Sequence, residues 1–593
     1  MKRLLWLAIS LCLCSSVAEA QWTQRASVDS SGAQATGASA YPVISADGRF
    51  LAFESLASNL VPGDSNARYD VFVRDLQTGT TERASVGPNG VEGNGDSTYA
   101  AISPDGRFVG FQSRSTNFAA GDTNGFQDVF VRDRLLGTTE RVSLGSLGTQ
   151  GNKDCMGPSV SADGRYLAFM SQASNLVTPD YTSTFDCFLR DRVAGTTVRV
   201  SEAYTGGPAN LYSYWPVLSA DGRFVAFHSA ASNVTSNDFN GTVDVFLYDV
   251  ATRVNELLSV SSGGVQGDFA SSYPSISADG RYVAFHSIAL NLAAGDTDVL
   301  QDVFLRDRLA GTTELISVGL GGAQPDADCG WVSLSADGRF VVFESAATNL
   351  APGDTNGVVD IFRVDRQSGS LERVDLGPSG VQSNAPSYGG GVSADGRWVC
   401  FASSATNLVL GDTNALDDAF ARDFDAAGFS SLCAAGSAGV LSCPCGNPAA
   451  GAGRGCDNSS STGGATLAAS GAAYLSADAL HFATSGQKPS STSVLLQGDT
   501  LVPGVLFGQG VRCAGGVLKR LYVRPASSGS VALPDPAFGD LSVSSRSAAL
   551  GDPIQPGTSR FYVVYYRDPI VLGGCAPTST FNATQTGEVR WSF

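Results

Sequence analysis

The sequence has few of the residues that enzymes use for acid–base chemistry near neutral pH. It contains three histidines in 593 residues, His228, His286 and His481, and so small a number nearly excludes a catalytic histidine. His228 and His286 occupy one equivalent position of an internal repeat. The other residues at that position are Glu54, Gln112, Met170, Glu344 and Ala402. A position that accepts side chains this different predicts a structural role.

Motifs of the common catalytic sites are also missing. The chain has no His/Cys cluster at metal-ligand spacing, no glycine-rich phosphate loop and no Gly-x-Ser-x-Gly nucleophile elbow. Carboxylate chemistry stays open, because a glycosidase needs only two acids. The acids are spread through the repeat, so the sequence singles out no pair.

Positive charge and long apolar runs are scarce as well. The formal net charge is −18, which disfavours nucleic acids and anionic membranes as partners. Lys2 and Arg3, the apolar stretch 4–13 and Ala18-Glu19-Ala20 predict a signal peptide over residues 1–20. No later stretch is long and apolar enough to span a bilayer. We therefore expect an exported protein, periplasmic or extracellular.

Six of the twelve cysteines lie near the C-terminus: Cys433, Cys443, Cys445, Cys456, Cys513 and Cys575. They suit three disulfides in an oxidising compartment. A zinc site at Cys443-Pro-Cys445 is the alternative, but no histidine stands at ligand spacing. Cys155, Cys187, Cys329 and Cys400 replace ordinary residues of the repeat, and we expect buried thiols there.

A repeat of 58 residues is the dominant pattern. The motif Ser-x-Asp-Gly-Arg-aromatic occurs seven times, with its aspartate at Asp47, Asp105, Asp163, Asp221, Asp279, Asp337 and Asp395. In the fifth unit we predict strands at Tyr273–Ser277, Arg281–Ser287, Asp302–Asp307 and Thr312–Val318. Asp279-Gly280 suits the tight turn between the first two strands. Seven units of four antiparallel strands predict an all-β, seven-bladed β-propeller.

The ends of the repeat predict how the propeller closes. The seventh unit stops after its third strand, at Arg422-Asp423. Thr23–Val28 matches Thr81–Val86 in sequence and lies 58 residues before it. The N-terminal strand would thus complete the seventh blade and remove an exposed sheet edge.

The motif resembles the WD40-like propeller repeat of TolB and of some peptidases, whose signature is Pro-x-x-Ser-Pro-Asp-Gly-Lys. The matching residues are Pro274, Ser277, Asp279, Gly280 and Arg281, and the resemblance covers about residues 22–423. It implies the propeller fold. It does not define a function, because such propellers serve as scaffolds, binding proteins and gating domains.

The remainder of the chain predicts a second domain. We expect a signal peptide (1–20), the propeller (21–423), a linker (424–440) and a C-terminal domain (441–593). Segments Thr492–Gln497, Leu518–Arg524 and Arg560–Arg567 look like strands, which favours a disulfide-bonded β-sandwich. It is similar to uncharacterised C-terminal β domains of exported bacterial proteins.

An Asp-x-Asn-x-x-x-Asp pattern recurs between the second and third strands. It is clearest at Asp122/Asn124/Asp128, Asp354/Asn356/Asp360 and Asp412/Asn414/Asp418, and Asp298 replaces the asparagine in another unit. Closely spaced oxygen ligands predict calcium binding. The alternative is an Asx-turn, in which these side chains bind loop amides.

A set of aromatic residues shares one position at the start of the innermost strands: Tyr41, Tyr99, Trp215, Tyr273 and Trp331. Strand parity puts both long connections of every unit on one face, where binding loops are expected. Rings at the mouth of the channel would stack on a sugar or anchor a protein partner. The alternative is that they pack between neighbouring blades.

These features favour an exported, non-enzymatic binding or scaffold protein that recognises a protein or glycan through the loop-rich propeller face. The alternative function is an extracellular hydrolase or lyase that acts on polysaccharide through propeller carboxylates.

Overall fold

The computed structural model describes residues 22–178, 180, 183–377, 380–409, 411–424, 430–433, 460, 465–470, 480–487, 489–507, 510–535, 538–554, 559–568, 581–584 and 586–590. The chain divides into two compact units, of which one is Thr23–Phe424 and the other contains Asp425–Phe593.

The first unit is built from repeated four-stranded antiparallel sheets, and we number the strands in chain order. The N-terminal strand is β1 (Trp22–Arg25). The innermost strands of the sheets are β2 (Ser39–Ile44), β6 (Ser97–Ile102), β10 (Cys155–Val160), β14 (Ser213–Leu218), β18 (Ser271–Ile276), β22 (Cys329–Leu334) and β26 (Ser387–Val392). The second strands are β3 (Phe50–Ser55), β7 (Phe108–Ser113), β11 (Tyr166–Ser171), β15 (Phe224–Ser229), β19 (Tyr282–Ser287), β23 (Phe340–Ser345) and β27 (Trp398–Ser403). The third strands are β4 (Asp70–Asp75), β8 (Asp128–Asp133), β12 (Asp186–Asp191), β16 (Asp244–Asp249), β20 (Asp302–Asp307), β24 (Asp360–Asp365) and β28 (Asp418–Asp423). The outer strands are β5 (Thr80–Arg83), β9 (Thr138–Arg141), β13 (Thr196–Arg199), β17 (Val254–Leu257), β21 (Thr312–Leu315) and β25 (Ser370–Arg373).

These sheets are the blades of a β-propeller. We number blades one to six from the sheets β2–β5 to β22–β25, and blade seven is the sheet in the order β1-β28-β27-β26. The strands of blade five agree with the prediction to within a few residues. The outer strand is shorter than predicted: after Leu315 the chain leaves the regular ladder, and the Val303 N–H bonds the Ser317 side chain.

Each blade core contains a pair of phenylalanines that face each other across the second and third strands. The pairs are Phe53–Phe72, Phe111–Phe130, Phe169–Phe188, Phe227–Phe246, Phe285–Phe304, Phe343–Phe362 and Phe401–Phe420. All of these rings are fully buried. Such cross-strand aromatic pairs stabilise a sheet beyond the area that they bury.

The repeated Ser-x-Asp-Gly-Arg motif forms the turn after each innermost strand. In blade five, the Ser277 hydroxyl donates to the Asp279 carboxylate at 2.8 Å. The same carboxylate accepts the Arg281 N–H at 2.9 Å. The Arg281 guanidinium then binds Asp307 with Nη2–Oδ2 at 2.7 Å and lies over the Tyr282 ring. The motif therefore fixes the turn and ties it to the third strand.

The glycine of the motif joins neighbouring blades. Gly280 has φ +72°, and a Cβ at this position would overlap the ring of Phe224 in blade four. A Cβ at Gly48 of blade one would likewise overlap the ring of Trp398 in blade seven. Only glycine satisfies both the positive φ and this close approach.

Blades one and seven are also joined by hydrogen bonds. The Ala394 N–H donates to the Ala46 carbonyl at 2.9 Å, as the Ala278 N–H does to Ala336 between blades five and six. The Ala26 N–H donates to the Ala419 carbonyl at 2.7 Å. The N-terminal segment therefore supplies the outer strand that the seventh repeat lacks.

The described part of the second unit is mostly β-structure. Its largest sheet contains β29 (Ser430–Cys433), β39 (Thr586–Arg590), β37 (Ser559–Arg567), β32 (Thr492–Gly498) and β35 (Lys519–Pro525), with β38 (Phe581–Ala583) beside β37. Two smaller sheets contain β30 (Thr466–Ser470), β31 (His481–Ser485) and β36 (Val531–Leu533), and β33 (Thr500–Phe507) with β34 (Gly510–Gly515). One α-helix is described here, α1 (Val543–Ala549). The three predicted strands are present, and a sandwich arrangement stays a prediction.

Several predictions fall outside the described residues. They include the signal peptide, Cys443, Cys445, Cys456 and Cys575, and the side chains of Cys433 and Cys513 are not described either. Disulfides in this region therefore stay a prediction. Among the helices that are described, none has the length and apolar character to cross a membrane.

Candidate binding site at the channel mouth

The predicted aromatic residues occupy the third residue of the innermost strands, which we call the mouth position. Its seven occupants are Tyr41, Tyr99, Gly157, Trp215, Tyr273, Trp331 and Gly389. In every blade the ladder between the first and second strands is irregular around this position, as between Ala40 and Val43 in blade one. An irregularity of this kind re-aims a side chain.

All seven mouth residues have positive φ. The five aromatic residues lie between +35° (Trp331) and +51° (Tyr99 and Trp215). This region favours glycine, and bulky side chains there are outliers. A strained backbone of this kind costs on the order of 1–3 kcal/mol per residue and occurs preferentially at functional sites. The fold thus holds five large rings in a backbone conformation that would suit glycine.

A buried side chain of the preceding blade holds several of these residues in place. The Tyr99 N–H donates to Glu54 Oε2 at 2.8 Å, and the Gly389 N–H donates to Glu344 Oε2 at 2.7 Å. The Gly157 N–H donates to Gln112 Oε1 at 3.0 Å in the same way.

In blade four a histidine accepts the hydrogen bond from the mouth residue of the next blade. The Tyr273 N–H donates to His228 Nδ1 at 3.1 Å, which supports the predicted structural role of this histidine. Glu54, Gln112, His228 and Glu344 share one repeat position, which we call the acceptor position. An acid, an amide or an imidazole there binds the mouth amide of the next blade, whereas Met170 and Ala402 at the same position bring no oxygen or nitrogen acceptor. His286 instead contacts the Ser272 hydroxyl at 2.7 Å.

The five aromatic side chains form one contiguous group, the aromatic platform. Ring centroids are 4.8 Å apart for Tyr41–Tyr99, 5.6 Å for Tyr99–Trp215, 5.8 Å for Trp215–Tyr273, 6.5 Å for Tyr273–Trp331 and 6.2 Å for Trp331–Tyr41. The contacts run in a closed circuit, so the structure brings together all five predicted residues. Tyr41 and Tyr273 are 42% and 37% exposed, so the platform is accessible.

The two tryptophans pack against the two glycines of the mouth position. A Cβ at Gly157 would lie 3.6 Å from the Trp215 ring, and a Cβ at Gly389 would lie 3.6 Å from the Trp331 ring. Each indole therefore leans over the glycine of a neighbouring blade. The platform combines packing between blades with an exposed surface.

Burial sets the charges beneath the platform. It raises the pKa of Glu54 to about 7 and also raises the pKa of Glu344. Desolvation lowers the pKa of His228 to about 3 and that of His286 to about 4. Both histidines are therefore neutral at physiological pH. Glu54, His228 and Glu344 accept hydrogen bonds from the backbone N–H groups of the mouth residues.

The three loops predicted to bind calcium each contain an arginine contact. Arg141 lies 3.1 Å from Asp122 and 3.4 Å from Asp128. Asn124 accepts the Phe126 N–H at 3.1 Å, which is the Asx-turn of the alternative interpretation.

The other two loops have the same arrangement. Arg373 contacts Asp354 and Asp360, and Arg25 contacts Asp412 and Asp418. Asn356 and Asn414 accept the N–H two residues further on. Calcium binding at these three loops stays a prediction, and in this structure a guanidinium already lies beside each acid pair.

The four cysteines of the propeller are buried, as predicted. Cys155 and Cys329 stand where other blades have serine, and their thiols lie 3.2 Å and 3.4 Å from the Ser171 and Ser345 hydroxyls. Burial raises the pKa of both thiols to about 12, which makes them poor nucleophiles.

Two features of the site were missed at the level of sequence. One is the contact that the acceptor position makes with the mouth amide, since only a structural role was predicted for that position. The other is the arginine at the end of the outer strand, Arg25, Arg83, Arg141, Arg199 or Arg373. Both recur at the 58-residue spacing, so the alignment of repeats that revealed the aromatic residues contained this signal too.

Comparison with solved structures finds β-propellers. A TolB protein of Agrobacterium tumefaciens is 18% identical, with 47% of this chain and 80% of that chain covered and a TM-score of 0.30. The β-propeller domain of the trilobed protease of Pyrococcus furiosus is 12% identical over 65% and 93% of the two chains, with a TM-score of 0.40. An oligogalacturonate lyase in complex with manganese is 13% identical over 69% and 96%, also with a TM-score of 0.40.

No family model and no curated protein matches the chain. The structural neighbours are thus TolB-type and other β-propeller proteins, and similarity at this level carries no information about activity.

Proposed function

We propose that this chain is an exported, non-enzymatic binding or scaffold protein. Its seven-bladed propeller, closed by β1, would present the aromatic platform at the channel mouth to a protein or glycan partner. The observation that carries the proposal is the retention of five aromatic side chains at positive φ. The blade backbone does not require a ring at this position, because Gly157 and Gly389 adopt the same positive φ without one.

The composition of the platform supports recognition by stacking. Tyrosine and tryptophan present large rigid surfaces at low conformational-entropy cost, and both are enriched where binding energy concentrates. A sugar ring or an apolar protein side chain suits such a surface. The acidic chain favours a neutral glycan or a basic protein segment over an anionic polymer.

The experiment is a glycan array with the purified protein, followed by affinity measurements on any hit with Trp215→Ala and Trp331→Ala. We expect each substitution to weaken binding about tenfold or more, as truncation of an interface anchor does. Leu309→Ala is the control, because Leu309 is 80% exposed in the turn between the third and outer strands of blade five. It should leave binding unchanged.

Two measurements separate the alternatives. If both tryptophan variants lose about 3–5 kcal/mol of unfolding free energy, the rings are core residues and the binding role fails. If reducing sugar is released from a bound polysaccharide and a single carboxylate substitution abolishes the release, the chain is a polysaccharide-acting enzyme instead.

A further inference from the structure

Within the described residues, the acid pair in the loop after the second strand has an arginine partner in five blades and lacks one in the other two. In blade one, Arg83 Nη1 lies 3.4 Å from Asp64, 3.2 Å from Asp70 and 2.7 Å from Glu92. One nitrogen thus lies among three carboxylates, at the position that a bound cation would occupy. In blades two, three, six and seven a guanidinium contacts both acids of the pair, from Arg141, Arg199, Arg373 and Arg25 respectively.

Blades four and five have leucine at this arginine position, Leu257 and Leu315. In blade four a neutral amide partly compensates, because Gln266 Nε2 donates to Asp238 at 2.8 Å and to Asp244 at 2.9 Å. Blade four therefore keeps one hydrogen-bond donor between two carboxylates.

Blade five has one more carboxylate in this loop than blade four, and its glutamine donates to fewer of them. Asp298 stands where blades one, two, four, six and seven have asparagine, so this loop contains three carboxylates. One oxygen from each of Asp296, Asp298 and Asp302 lies within 4.8 Å of the others. Gln324 Nε2 reaches only Asp296 Oδ1, at 3.2 Å.

Two buried oxygens of this cluster have no partner. Asp296 and Asp302 are 6% and 1% exposed, and Oδ2 of each has no hydrogen-bond partner among the residues that the structure describes. Their Oδ1 atoms bond Gln324 and the Ser317 hydroxyl. Asp298 uses Oδ1 for the Leu300 N–H at 2.9 Å. A buried carboxylate oxygen without a partner is costly unless a cation or a donor reaches it.

We propose that blade five binds one calcium ion through Asp296, Asp298 and Asp302. The ion takes the place that the arginine Nη1 occupies in blade one. Three carboxylates on a short loop give the hard oxygen ligands and negative charge that calcium prefers. A cavity of about 330 Å³ is lined by Gly295, the chain neighbour of Asp296, and by Leu315 and Gln324 among others.

The test is calcium titration by calorimetry on the full chain after treatment with chelator, together with melting curves. We expect one calcium-binding event that raises the melting temperature, and chelator should reverse the rise. Leu315→Arg, which restores the residue of the other blades, should abolish binding at this site without removing a ligand. Asp298→Asn should weaken it about tenfold or more, because the ligand charge sets affinity.

Asp268→Asn is the matched control. It removes one charge from the same blade, at a position where Asn94, Asn152, Asn210 and Asn384 stand in other blades. Asp268 accepts the Leu290 N–H at 2.9 Å, and Asn94 makes the equivalent bond to Thr116. Calcium binding should change far less in this variant than in Asp298→Asn, because Asp268 acts on Asp296 only through space.

The proposal is overturned if the chelated wild-type chain shows neither heat nor a change in melting temperature with calcium. It is overturned equally if Leu315→Arg binds calcium as the wild type does. Should Leu315→Arg fail to fold, unchanged binding in Asp298→Asn would refute the proposal, since Asp298 is half-buried at a loop position that tolerates asparagine in other blades.

Discussion

The two faces of the propeller differ in how much their side chains vary from blade to blade. On the turn face, which contains the tight turns after the first and third strands, all seven blades use one set of contacts: the serine, aspartate and arginine of the motif and a glycine under the aromatic ring of the preceding blade. On the loop face, which contains the longer connections and the mouth position, blades differ in side chain although the backbone is the same. Tyr273, for example, has the φ of Gly157 within about 15°.

Under the proposed function, this difference separates the contacts that assemble the blades from the positions that recognise a partner. A contact that every blade needs in order to join its neighbour has to be repeated, because each junction meets the same geometric demand. A position that varies while its backbone stays fixed is free of that demand. The variation at the mouth and at the arginine position therefore marks where individual blades acquired their own chemistry.

Removal of residues 22–30 should have the largest effect, because it breaks the proposed closure on which both faces depend. Blade seven would lose β1, the bond from Ala26 to Ala419 and the Ser27 hydroxyl bond to Asp418 at 2.5 Å. The exposed edge of β28 would favour aggregation. We expect loss of a cooperative melting transition and a shift to large species in sizing chromatography. An unchanged melting temperature in a monomeric truncated chain would refute closure by β1.

Gly280→Ala should have the next largest effect and would test the junction on the turn face. Ala at φ +72° is strained, and its Cβ overlaps the Phe224 ring. Strain and overpacking together predict a loss of about 3 kcal/mol in unfolding free energy. Gly311→Ala is the matched control, because Gly311 lies in the same blade at φ +70° with no atom within 4 Å of its Cβ position. It should lose only the strain, about 1 kcal/mol. Equal losses in denaturant titrations would show that the glycine serves the turn alone.

The sequence predicted the turn face better than the loop face. Repetition at 58 residues located every Asp-Gly turn and the four strands of each blade, because these follow from local turn chemistry and alternation. The same register placed Tyr41 and Trp331 at equivalent positions. It did not predict that Trp215 adopts positive φ, because nothing in a tryptophan favours that region. Nor did it pair Arg141 with Asp122, since this contact depends on how the outer strand meets a loop of the same blade.

Glu54→Gln should have a smaller, pH-dependent effect and would test the acceptor position beneath the platform. Burial raises the pKa of Glu54 from 4.5 to about 7, so the folded protein binds this proton more tightly than the unfolded chain. The free energy of unfolding therefore falls as pH rises from about 4.5 to 7 and stays low above that. Glutamine keeps an acceptor oxygen, as Gln112 shows for Gly157, and carries no charge.

We therefore expect Glu54→Gln to be more stable than the wild type at pH 8, by about 3 kcal/mol, and similar to it at pH 4. The reciprocal variant Gln112→Glu should lose stability at pH 8 but not at pH 4. Denaturant titrations at both values of pH measure these differences. A stability difference that does not change with pH would show that Glu54 is solvated in the folded protein. If the chain releases sugar from a polysaccharide, retention of that activity in Glu54→Gln would exclude this carboxylate from catalysis.

Cys155→Ser should have the smallest effect, because other blades already contain the product of this substitution. Ser97 and Ser113 bond each other at 2.9 Å, as Ser213 and Ser229 do, and Cys155 occupies the same position opposite Ser171. A serine there gains a ready partner, so the unfolding free energy should change by less than about 1 kcal/mol.

Cys187→Ser provides the contrast for this prediction. Cys187 stands at a position that is valine in blades one, two, four and five, and it packs in an apolar cluster with Phe227 and Leu189. A hydroxyl buried there without a partner costs about 1–3 kcal/mol. Both cysteines are fully buried. The two variants differ in whether a hydrogen-bond partner lies beside the new hydroxyl. If Cys155→Ser proves as costly as Cys187→Ser, the residues found at equivalent positions of other blades do not predict tolerance, and the loop face is more strongly constrained than its variation indicates.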